Sequence, residues 1–436
     1  MRQASACGQV SLIGTELKLV RGGVRTRLSR FVGSISPKPA TVLTPGCRSS
    51  RPRPPPIPFT PVRPASPQER ERLLDDFVRL CEIESPSRRE REIAEAVRDE
   101  LAQLGLEVEE DDSGRDTGSE AGNLLARIPG PEGARTILLC AHLDTVPLAG
   151  PVEVTRENGV LTNRNEAILG ADNKAAVATI LGTARRLVAE GSPVGVELLF
   201  TTCEELALAG AKAFDRGRLR AEFGFVFDHA SPVGELVTAS PTYYRLDVEF
   251  RGRAAHAGIR PETGRNAIAA AAHALAAMRI GRLDAGTTAN IGQIEGGTAA
   301  NVVAERCQVV LEARSLDDNR AGEVVSSMVD AVTEAASEAD CDVESAVERH
   351  FQAYRFARTA PVVEIAAEAL RRHRIEPVYI NTGGGSDANA LISAGLPVLN
   401  VANGTERNHE PTESVTVEAL ETMLDVTLAI VEEAAR

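Results

Sequence analysis

Short apolar segments alternate with helical segments along most of the chain. Apolar runs at 136–141, 196–202 and 225–227 accompany a long helical pattern at 173–190. Strands that alternate with helices are typical of a parallel sheet that is buried on both faces between layers of helices. The sequence therefore predicts an α/β fold with a mixed, mostly parallel sheet and helices on both faces.

The alternation changes from residue 243 onwards, where the predicted order is β-α-β-β-α-β. Strands are predicted at 243–250, 287–294, 302–314 and 342–348, and helices at 266–278 and 323–337. This order is that of the ferredoxin-like split unit. The α/β pattern then resumes with elements at 361–372, 397–401 and 417–434. We therefore predict that a small domain (242–353) is inserted into a larger one (67–241 and 354–436).

The first 66 residues differ in composition from the rest. They hold 11 Lys and Arg and a single acid, Glu16, and 11 of the 24 prolines lie between residues 37 and 67. Such a segment cannot bury enough apolar surface to offset the entropy of ordering it, so residues 1–66 are predicted to be a disordered, basic, proline-rich tail. An organelle transit peptide would fit this composition, but only 4 of the chain's 48 basic residues are Lys, which favours a plain tail or an extended reading frame. Ser66 and Pro67 predict the start of the first helix.

Charge and cysteine content restrict the partners and the compartment. The tail's net charge of +10 leaves −24 for the remaining 370 residues of a chain whose net charge is −14, and so acidic a body argues against nucleic-acid binding. No stretch approaches the ~20 continuous apolar residues of a membrane-spanning helix, so no membrane partner is predicted. The seven cysteines form no CxxC pair, which predicts reduced thiols and a cytoplasmic protein.

Acids and histidines follow the predicted strands of the larger domain. They are His142, Asp144, Asp172, Glu204, Glu205, Asp228 and His409. Because ligands collect at the carboxyl ends of strands in open α/β sheets, we expect these side chains to meet at one edge. Burying several acids together without a cation would cost many kcal/mol in desolvation and repulsion. The sequence therefore predicts a bound cation.

The donor types indicate which cation. Imidazoles mixed with carboxylates suit zinc, with cobalt or manganese as alternatives, far better than calcium, which prefers oxygen ligands alone. Two ions about 3.5–4 Å apart need a bridging carboxylate, and Asp172 is the best candidate because it comes from a loop between the sheet and a helix. One acid of the Glu204–Glu205 pair is then free to act on a metal-bound water, whose pKa falls to about 7. The pattern predicts a two-metal hydrolytic site.

Several motifs together carry a family resemblance that covers about residues 68–436. They are AHLDT (141–145), GADNK (170–174), TTCEE (201–205), FVFD (225–228), HAG (256–258), GGTAANVV (296–303), GGGSDAN (383–389) and the late His409. This series resembles the M20 family of dinuclear zinc peptidases, and within it the peptidase T-like tripeptidases. The resemblance implies a metallopeptidase that cleaves short peptides as an aminopeptidase or tripeptidase.

The resemblance also implies a role for each residue of the predicted site. The metal ligands would be His142, Asp172, Glu205, Asp228 and His409, with Asp172 as the bridge. Asp144 would orient His142 by accepting a hydrogen bond from its other ring nitrogen. Glu204 would be the general base and would then pass the proton to the leaving amine. The family usually holds the peptide after the bridging aspartate in cis, which would be Asp172–Asn173.

The inserted domain resembles the family's lid and dimerisation domain, which implies a homodimer. His256 matches a histidine that stabilises the tetrahedral oxyanion, often in the partner subunit. Asn301 and Arg314 match positions that hold a substrate carboxylate. Gly384, Gly385 and Ser386 match a pocket lined by backbone donors. Ordinary surface positions at strand ends are the alternative for His256 and Arg314.

Two departures from the family pattern leave the substrate class open. Leu206–Ala209 stand between the Glu-Glu pair and Gly210, where relatives commonly place Gly sooner, and His229 follows Asp228 where small residues are frequent. The nearest alternative is another M20-type amidohydrolase, such as an N-acyl-amino-acid deacylase, a desuccinylase or a carboxypeptidase. A non-catalytic binding or dimerisation module is a remote alternative, because it predicts the loss of a ligand or of the base, and none is missing.

Overall fold

The computed structural model describes residues 63–436, together with the backbone of two short strands nearer the N-terminus. Its helices are α1 (Pro67–Cys81), α2 (Arg91–Gln103), α3 (Ser113–Thr117), α4 (Ala171–Glu190), α5 (Ala209–Ala213), α6 (Ala267–Ala277), α7 (Asp318–Glu338), α8 (Pro361–Arg372), α9 (Asp387–Ser393) and α10 (Val417–Glu433). Its strands are β1 (Leu17–Arg21), β2 (Val24–Leu28), β3 (Val108–Glu110), β4 (Leu124–Ile128), β5 (Thr136–His142), β6 (Val154–Glu157), β7 (Val160–Asn163), β8 (Gly195–Thr201), β9 (Phe223–His229), β10 (Glu235–Ser240), β11 (Thr242–Arg251), β12 (Gly281–Asp284), β13 (Thr287–Gly296), β14 (Arg306–Ser315), β15 (Asp342–Phe351), β16 (Tyr354–Arg355), β17 (Val378–Asn381), β18 (Val398–Ala402), β19 (Thr405–Glu406) and β20 (Ser414–Thr416).

The chain divides into two compact units. The large unit contains residues 63–242 and 351–436, and the small unit contains residues 243–350 with β1 and β2. Apart from residues 63–66 and these two strands, the tail predicted at 1–66 lies outside the described residues.

The main sheet of the large unit is mixed, in agreement with the prediction. Its order is β16-β10-β18-β9-β5-β8-β4-β3, and β17 also pairs with β10. The four central strands β18, β9, β5 and β8 are parallel to one another. The antiparallel strands on either side of them were not predicted. A separate antiparallel sheet has the order β19-β20-β7-β6.

The large unit buries apolar residues on both faces of this sheet. Along β5, Ile137 and Leu139 pack into a core shared with α1, α2, α4, α8 and α10. The alternate residues Leu138 and Cys140 pack into a second core with residues of α9. This period of two, in a strand buried on both faces, explains why the segment reads as one continuous apolar run. The predicted fold class is confirmed.

The first helix starts where the sequence predicts. Ser66 is the N-cap of α1, and Glu69 completes a capping box in which each of these two side chains bonds the other residue's backbone N–H. Glu69 also accepts a hydrogen bond from Arg186 Nη2 on α4 at 2.7 Å. The cap therefore fixes the helix start and joins it to a neighbouring helix.

The small unit has the predicted ferredoxin-like core. Its sheet order is β1-β2-β15-β11-β14-β13-β12, so the four predicted strands lie side by side in the order β15-β11-β14-β13. The short strand β12 was not predicted. The strand predicted at 302–314 is wrong at its start, because β14 begins at Arg306. Residues before it bond another segment instead, since Val303 N–H donates to the carbonyl of Ala255 at 2.9 Å.

The described cysteines are all buried free thiols. They are Cys81, Cys140, Cys203, Cys307 and Cys341. Cys7 and Cys47 lie outside the described residues. None of the described helices has the length and apolar character needed to cross a bilayer.

Candidate metal centre

The structure brings the five predicted ligands together at one edge of the main sheet. His142 is the last residue of β5, and Asp228 lies near the end of β9. Asp172 lies in the first turn of α4, where the backbone is not yet helical. Glu205 follows β8, and His409 lies in the connection between β19 and β20, shortly after β18. The parallel strands β5, β8, β9 and β18 therefore position this site by ending at the same edge.

Asp172 lies between the two imidazoles. Its Oδ1 is 3.3 Å from His142 Nε2, and its Oδ2 is 3.3 Å from His409 Nε2. His142 Nε2 is also 3.6 Å from Asp228 Oδ1. His409 Nε2 is 2.8 Å from Glu205 Oε1. Each imidazole thus faces Asp172 and one further carboxylate, which gives two groups of three donors that share Asp172.

Burial makes this collection of acids unfavourable by itself. Burial and the neighbouring charge of Asp228 raise the pKa of Glu204 well above its usual value. Burial also raises the pKa of Glu205 and of Asp228. Burial acts in the same direction on Asp172, but hydrogen bonds from the two histidines outweigh it and lower the pKa of this carboxyl. The same contacts with Asp172 and Glu205 raise the pKa of His409 to about 10.

The donor set fits divalent cations. Across residues 63–436, the ion pairs of Asp172, Glu205 and Asp228 are with histidines, and no Lys or Arg side chain neutralises them. Two ligands that are each about 2.0 Å from a tetrahedral zinc ion lie about 3.3 Å apart. The distances from Asp172 to the two imidazoles match that spacing. His142, Asp172 and Glu205 form one group of potential ligands whose donor atoms lie within 4.8 Å of one another, and His142, Glu204 and Asp228 form another.

Asp144 holds the loop that carries the two glutamates. Its Oδ1 accepts the backbone N–H of Glu204 at 2.9 Å, and its Oδ2 accepts that of Glu205 at 3.2 Å. Ser87 Oγ donates to Oδ2 at 2.7 Å. His142 Nδ1 donates to the backbone carbonyl of Asp144 at 2.9 Å, whereas the Asp144 carboxylate is 3.5 Å away. The carboxylate that was predicted to orient His142 therefore contacts the Glu204–Glu205 loop more closely, and the imidazole is oriented chiefly by the carbonyl.

The loop before α4 presents Asp172 in an unusual backbone conformation. Gly170 has φ 74°, a conformation that residues with a Cβ rarely adopt. The Asp172–Asn173 peptide is cis, which confirms that prediction. Glu413, which is 1% exposed, accepts the backbone N–H of Gly170 at 2.8 Å and of Asp172 at 2.9 Å. Sequence reasoning missed Glu413, although its position four residues after His409 was a usable signal.

The backbone around the two glutamates adopts left-handed conformations at residues other than glycine. Ala207 and Leu208 have φ of 60° and 64°, and Cys203 just before the pair has φ 52°. These left-handed conformations favour glycine, yet this chain has Cys, Ala and Leu at the three positions. The glycine at 210 meets a different requirement, because a Cβ there would lie 2.0 Å from the carbonyl oxygen of Thr202.

The glycine-rich loop before α9 is close-packed. Gly384 N–H donates to Thr382 Oγ1, and Ser386 N–H donates to Asn389 Oδ1, both at 3.1 Å, so these two predicted backbone donors already have partners within the loop. A Cβ at Gly385 would lie 2.4 Å from the ring of Phe351.

Asp387 is a buried acid of this region that sequence reasoning did not single out. It is 1% exposed, and the Thr201 hydroxyl donates a hydrogen bond to its Oδ2. Burial, assisted by the charge of Asp228, raises the pKa of Asp387 to about 7. Its place at the start of α9, directly after Ser386, was the available signal.

In the small unit, His256 and Asn301 lie on neighbouring segments, and Arg314 lies on a strand. His256 is exposed, and its Nδ1 accepts the N–H of Gly258 at 3.2 Å. The segment of His256 bonds that of Asn301, because Ala257 N–H donates to the Asn301 carbonyl at 2.9 Å. Arg314 lies on β14, with its guanidinium 4.3 Å from the centre of the Tyr243 ring and 3.1 Å from Glu312 Oε2.

Two family models match the chain. The peptidase dimerisation domain of the M20 peptidases matches residues 242–340. Peptidase family M28 matches residues 123–237. The first match spans most of the small unit, and the second runs from β4 to the first half of β10 in the large unit.

Solved structures and curated proteins are similar to this chain over most of its length. The chain is 37% identical to an aminopeptidase PepT from Bacillus cereus, with a TM-score of 0.77, and the alignment covers 84% of this chain and 99% of that one. It is 32% identical to a tripeptidase from Staphylococcus aureus, with a TM-score of 0.80 and the same coverage. It is also 36% identical to the uncharacterized protein YqjE of Bacillus subtilis over 84% of this chain and 99% of that protein. The predicted resemblance is thus confirmed, and the chain belongs to the M20 family of metallopeptidases, in its peptidase T-like group.

Proposed function

We propose that this metallopeptidase removes N-terminal residues from short peptides, as an aminopeptidase or tripeptidase, using two divalent cations. The observation that carries the proposal is the position of Asp172, with one carboxylate oxygen 3.3 Å from each of two imidazoles and with further buried acids around it. The names of the two similar solved proteins, an aminopeptidase and a tripeptidase, support the substrate class.

In this proposal the ligands form two groups. His142 and Asp228 would hold one cation, Glu205 and His409 would hold the other, and Asp172 would contribute a carboxylate oxygen to each. When bound there, divalent cations polarise a carbonyl group and lower the pKa of a water molecule to about 7. Zinc is the proposed metal, with cobalt or manganese as alternatives, because the set mixes imidazoles with carboxylates.

Glu204 is the proposed general base. Its carboxylate is buried beside His142 and Asp228 without an ion pair to a described Lys or Arg. It would take a proton from the attacking water and return it to the departing amine, which is the usual work of a positioned carboxylate in amide hydrolysis. Asp144 supports this role because its carboxylate accepts the backbone N–H of Glu204 and so fixes the loop.

The remaining predicted residues keep their proposed roles. His256 would stabilise the oxyanion, Asn301 and Arg314 would hold a substrate carboxylate, and the loop of Gly384, Gly385 and Ser386 would line the pocket. The dimerisation domain at 242–340 supports a homodimer, which light scattering after size-exclusion chromatography would test. The five buried free thiols support a cytoplasmic location.

A peptide panel tests the proposed reaction. The panel pairs each tripeptide that has a free amine with its N-acetylated form and includes N-acyl amino acids. We expect turnover of the free tripeptides, loss of turnover on acetylation, complete loss after chelation, and recovery when zinc, cobalt or manganese is added back. Preferential cleavage of the N-acyl amino acids would favour the alternative, an N-acyl-amino-acid deacylase or a related M20 amidohydrolase.

A further inference from the structure

We infer that Glu413 is a positioning residue that sets the metal affinity of the site by holding the backbone of Asp172. The inference rests on the proposed metal centre and extends it to a residue that lies outside the predicted ligand set. It concerns how the bridging carboxylate is kept between the two imidazoles.

The Glu413 carboxylate bonds two backbone N–H groups, one through each oxygen, and we call this arrangement the clamp. Its Oε2 accepts the N–H of Gly170 at 2.8 Å, and its Oε1 accepts the N–H of Asp172 at 2.9 Å. These two N–H groups lie on either side of Ala171, at the start of α4, where the backbone of Asp172 departs from helical geometry. One carboxylate therefore accepts hydrogen bonds from two backbone N–H groups at the helix start, where helices leave such groups without partners of their own. One of these N–H groups belongs to Asp172, the residue that faces both imidazoles.

The clamp also joins two distant parts of the chain. Glu413 lies four residues after His409, whose Nε2 is 3.3 Å from Asp172 Oδ2. The 409–413 segment thus contacts Asp172 twice, at the side chain through His409 and at the backbone through Glu413. A shift of this segment would move a proposed ligand and the support of the proposed bridge together. Partners of this kind, one step removed from the ion, typically change metal affinity by about 10–100-fold when they are altered.

Glu197 provides a matched control. It is also 1% exposed, its Oε2 accepts two backbone N–H groups, from Arg220 and Ala221, at 2.9 Å each, and its Oε1 pairs with Arg127 Nε at 3.0 Å. It lies on β8 near the start of the strand, at the end away from the Glu204–Glu205 loop. Glu413→Gln and Glu197→Gln therefore make the same chemical change in equally buried carboxylates, and only the first touches the Asp172 loop.

The experiment measures zinc binding directly. Zinc chloride is titrated into the metal-free full chain in the presence of a competing chelator, for the parent and for both variants. We expect Glu413→Gln to weaken zinc binding by about 10–100-fold, because its amide can accept only one of the two N–H groups. We expect Glu197→Gln to bind zinc as the parent does. The visible spectrum of the cobalt-loaded protein, which reports ligand geometry, should change in the Glu413 variant alone.

The outcomes separate this inference from the proposed function. Parent-like zinc affinity in Glu413→Gln, or equal weakening in Glu197→Gln, would overturn the inference while leaving the metal centre in place. Failure of the parent chain to bind zinc, cobalt or manganese would overturn the metal centre, and the inference with it. If Glu413→Gln does not fold, Glu413→Asp serves instead, because it keeps the charge but is too short to reach both N–H groups. Its zinc affinity should then lie below that of the parent.

Discussion

Two clusters of buried acids lie in the large unit, and they are neutralised in different ways. Asp76 and Glu100, on α1 and α2, are surrounded by guanidinium groups, with Arg185 2.6 Å from Asp76 Oδ2 and 2.8 Å from Glu100 Oε2. Arg72 and Arg79 complete this arginine cluster. Around Asp172, Glu204, Glu205 and Asp228, the described residues supply only imidazoles as possible cations.

The net change in the pKa of the acids has opposite signs in the two clusters. Burial raises the pKa of Glu100, but Arg185, Arg79 and Arg72 outweigh it and lower that pKa overall. In the metal centre, burial raises the pKa of Glu204, Glu205 and Asp228, and the histidines do not compensate. The arginine cluster is therefore complete as it folds, whereas the metal centre requires positive charge from outside the chain.

The two clusters also differ in the backbone conformation of their residues. The members of the arginine cluster all lie within the regular helices α1, α2 and α4. The metal centre combines strand ends, the first turn of α4 and loops, and His409 and Cys203 have φ of 68° and 52°. Conformations of this kind cost of order 1–3 kcal/mol each and persist where the surrounding structure holds them in place. One cluster thus stabilises the fold, and the other is built at some cost to it.

The largest effect is expected from the proposed base. Glu204→Gln removes the only group in the proposal that accepts a proton, while it keeps the size and the burial of the side chain. We expect peptide turnover to fall by about 10²–10⁴-fold. Because Glu204 is not one of the proposed ligands, the zinc content measured by elemental analysis should stay the same. Turnover at the parent rate would show that the base is assigned wrongly.

Loss of an acid from the arginine cluster should change the stability of the protein and not its peptide turnover. Asp76→Ala leaves Arg185 with one partner instead of two, in a site where Asp76 is 1% exposed. We expect the free energy of unfolding to fall by about 3 kcal/mol, as measured by urea unfolding. The control is Glu153→Ala, which removes an exposed ion pair with Arg164 and should cost less than about 1 kcal/mol. Equal losses in the two variants would contradict the distinction between buried and exposed pairs.

The sequence predicts the metal centre better than the arginine cluster, because different structural features position the residues of each. His142, Asp172, Glu205 and Asp228 could be grouped in advance because each adjoins a strongly apolar strand or a long helix, and parallel strands end at a common edge. Asp76 and Glu100 could not be paired, because they lie on different helices and no pattern in the sequence specifies how those helices pack. Glu413 accepts backbone N–H groups of a distant loop, and Ser87 donates to the carboxylate of the distant Asp144, so both roles depend on loop geometry.

The same reasoning accounts for the fold. The central strand β5 is a continuous apolar run, β8 is apolar along most of its length, and α1, α4 and α10 have long apolar faces, so all were predictable. The strands at the margins, such as β16, β17 and β19, are two to four residues long and lack such a run. They form because a neighbouring strand offers unpaired backbone groups, which is a tertiary effect.

The metal centre should show the opposite response to the loss of an acid when no metal is bound. Asp228→Asn removes a buried charge whose pKa is raised by burial and by Asp172. We expect the free energy of unfolding of the chelated protein to rise by about 1–2 kcal/mol, while the zinc-dependent gain in stability shrinks. Urea unfolding with chelator and with excess zinc measures both. A decrease in the stability of the chelated protein would mean that the imidazoles already balance the acids.

An acid paired with arginine should lose its contribution as the pH falls. Burial raises the pKa of Glu69, but hydrogen bonds from Arg186 and Ser66 outweigh it and lower the pKa to about 2. Because this pKa lies below the ordinary value of 4.5, the stabilisation is fully present above pH 4.5 and is lost as the pH falls towards 2. Glu69→Gln keeps a residue type that suits the capping box but removes the charge.

We expect the chain with Glu69 to be more stable than the Glu69→Gln variant by about 1 kcal/mol at pH 7. The difference should narrow steadily below pH 4.5. Urea unfolding of the chelated proteins between pH 7 and pH 3 measures it. A difference that does not depend on pH would assign the effect of Glu69 to the cap and not to the ion pair with Arg186.

The smallest effect is expected at the strained loop beside the metal centre. Ala207 is half-buried and has φ 60°, so Ala207→Gly removes a steric cost without leaving a large cavity. We expect the free energy of unfolding to rise by about 0.5–1 kcal/mol, because the relieved strain exceeds the extra entropy that glycine gains in the unfolded chain. Ala211→Gly, in the helix α5, is the control and should lower stability by about 1 kcal/mol. If both substitutions destabilise the protein equally, the left-handed backbone at Ala207 carries no strain, and Cys203, Leu208 and His409 remain as the cost of building the metal centre.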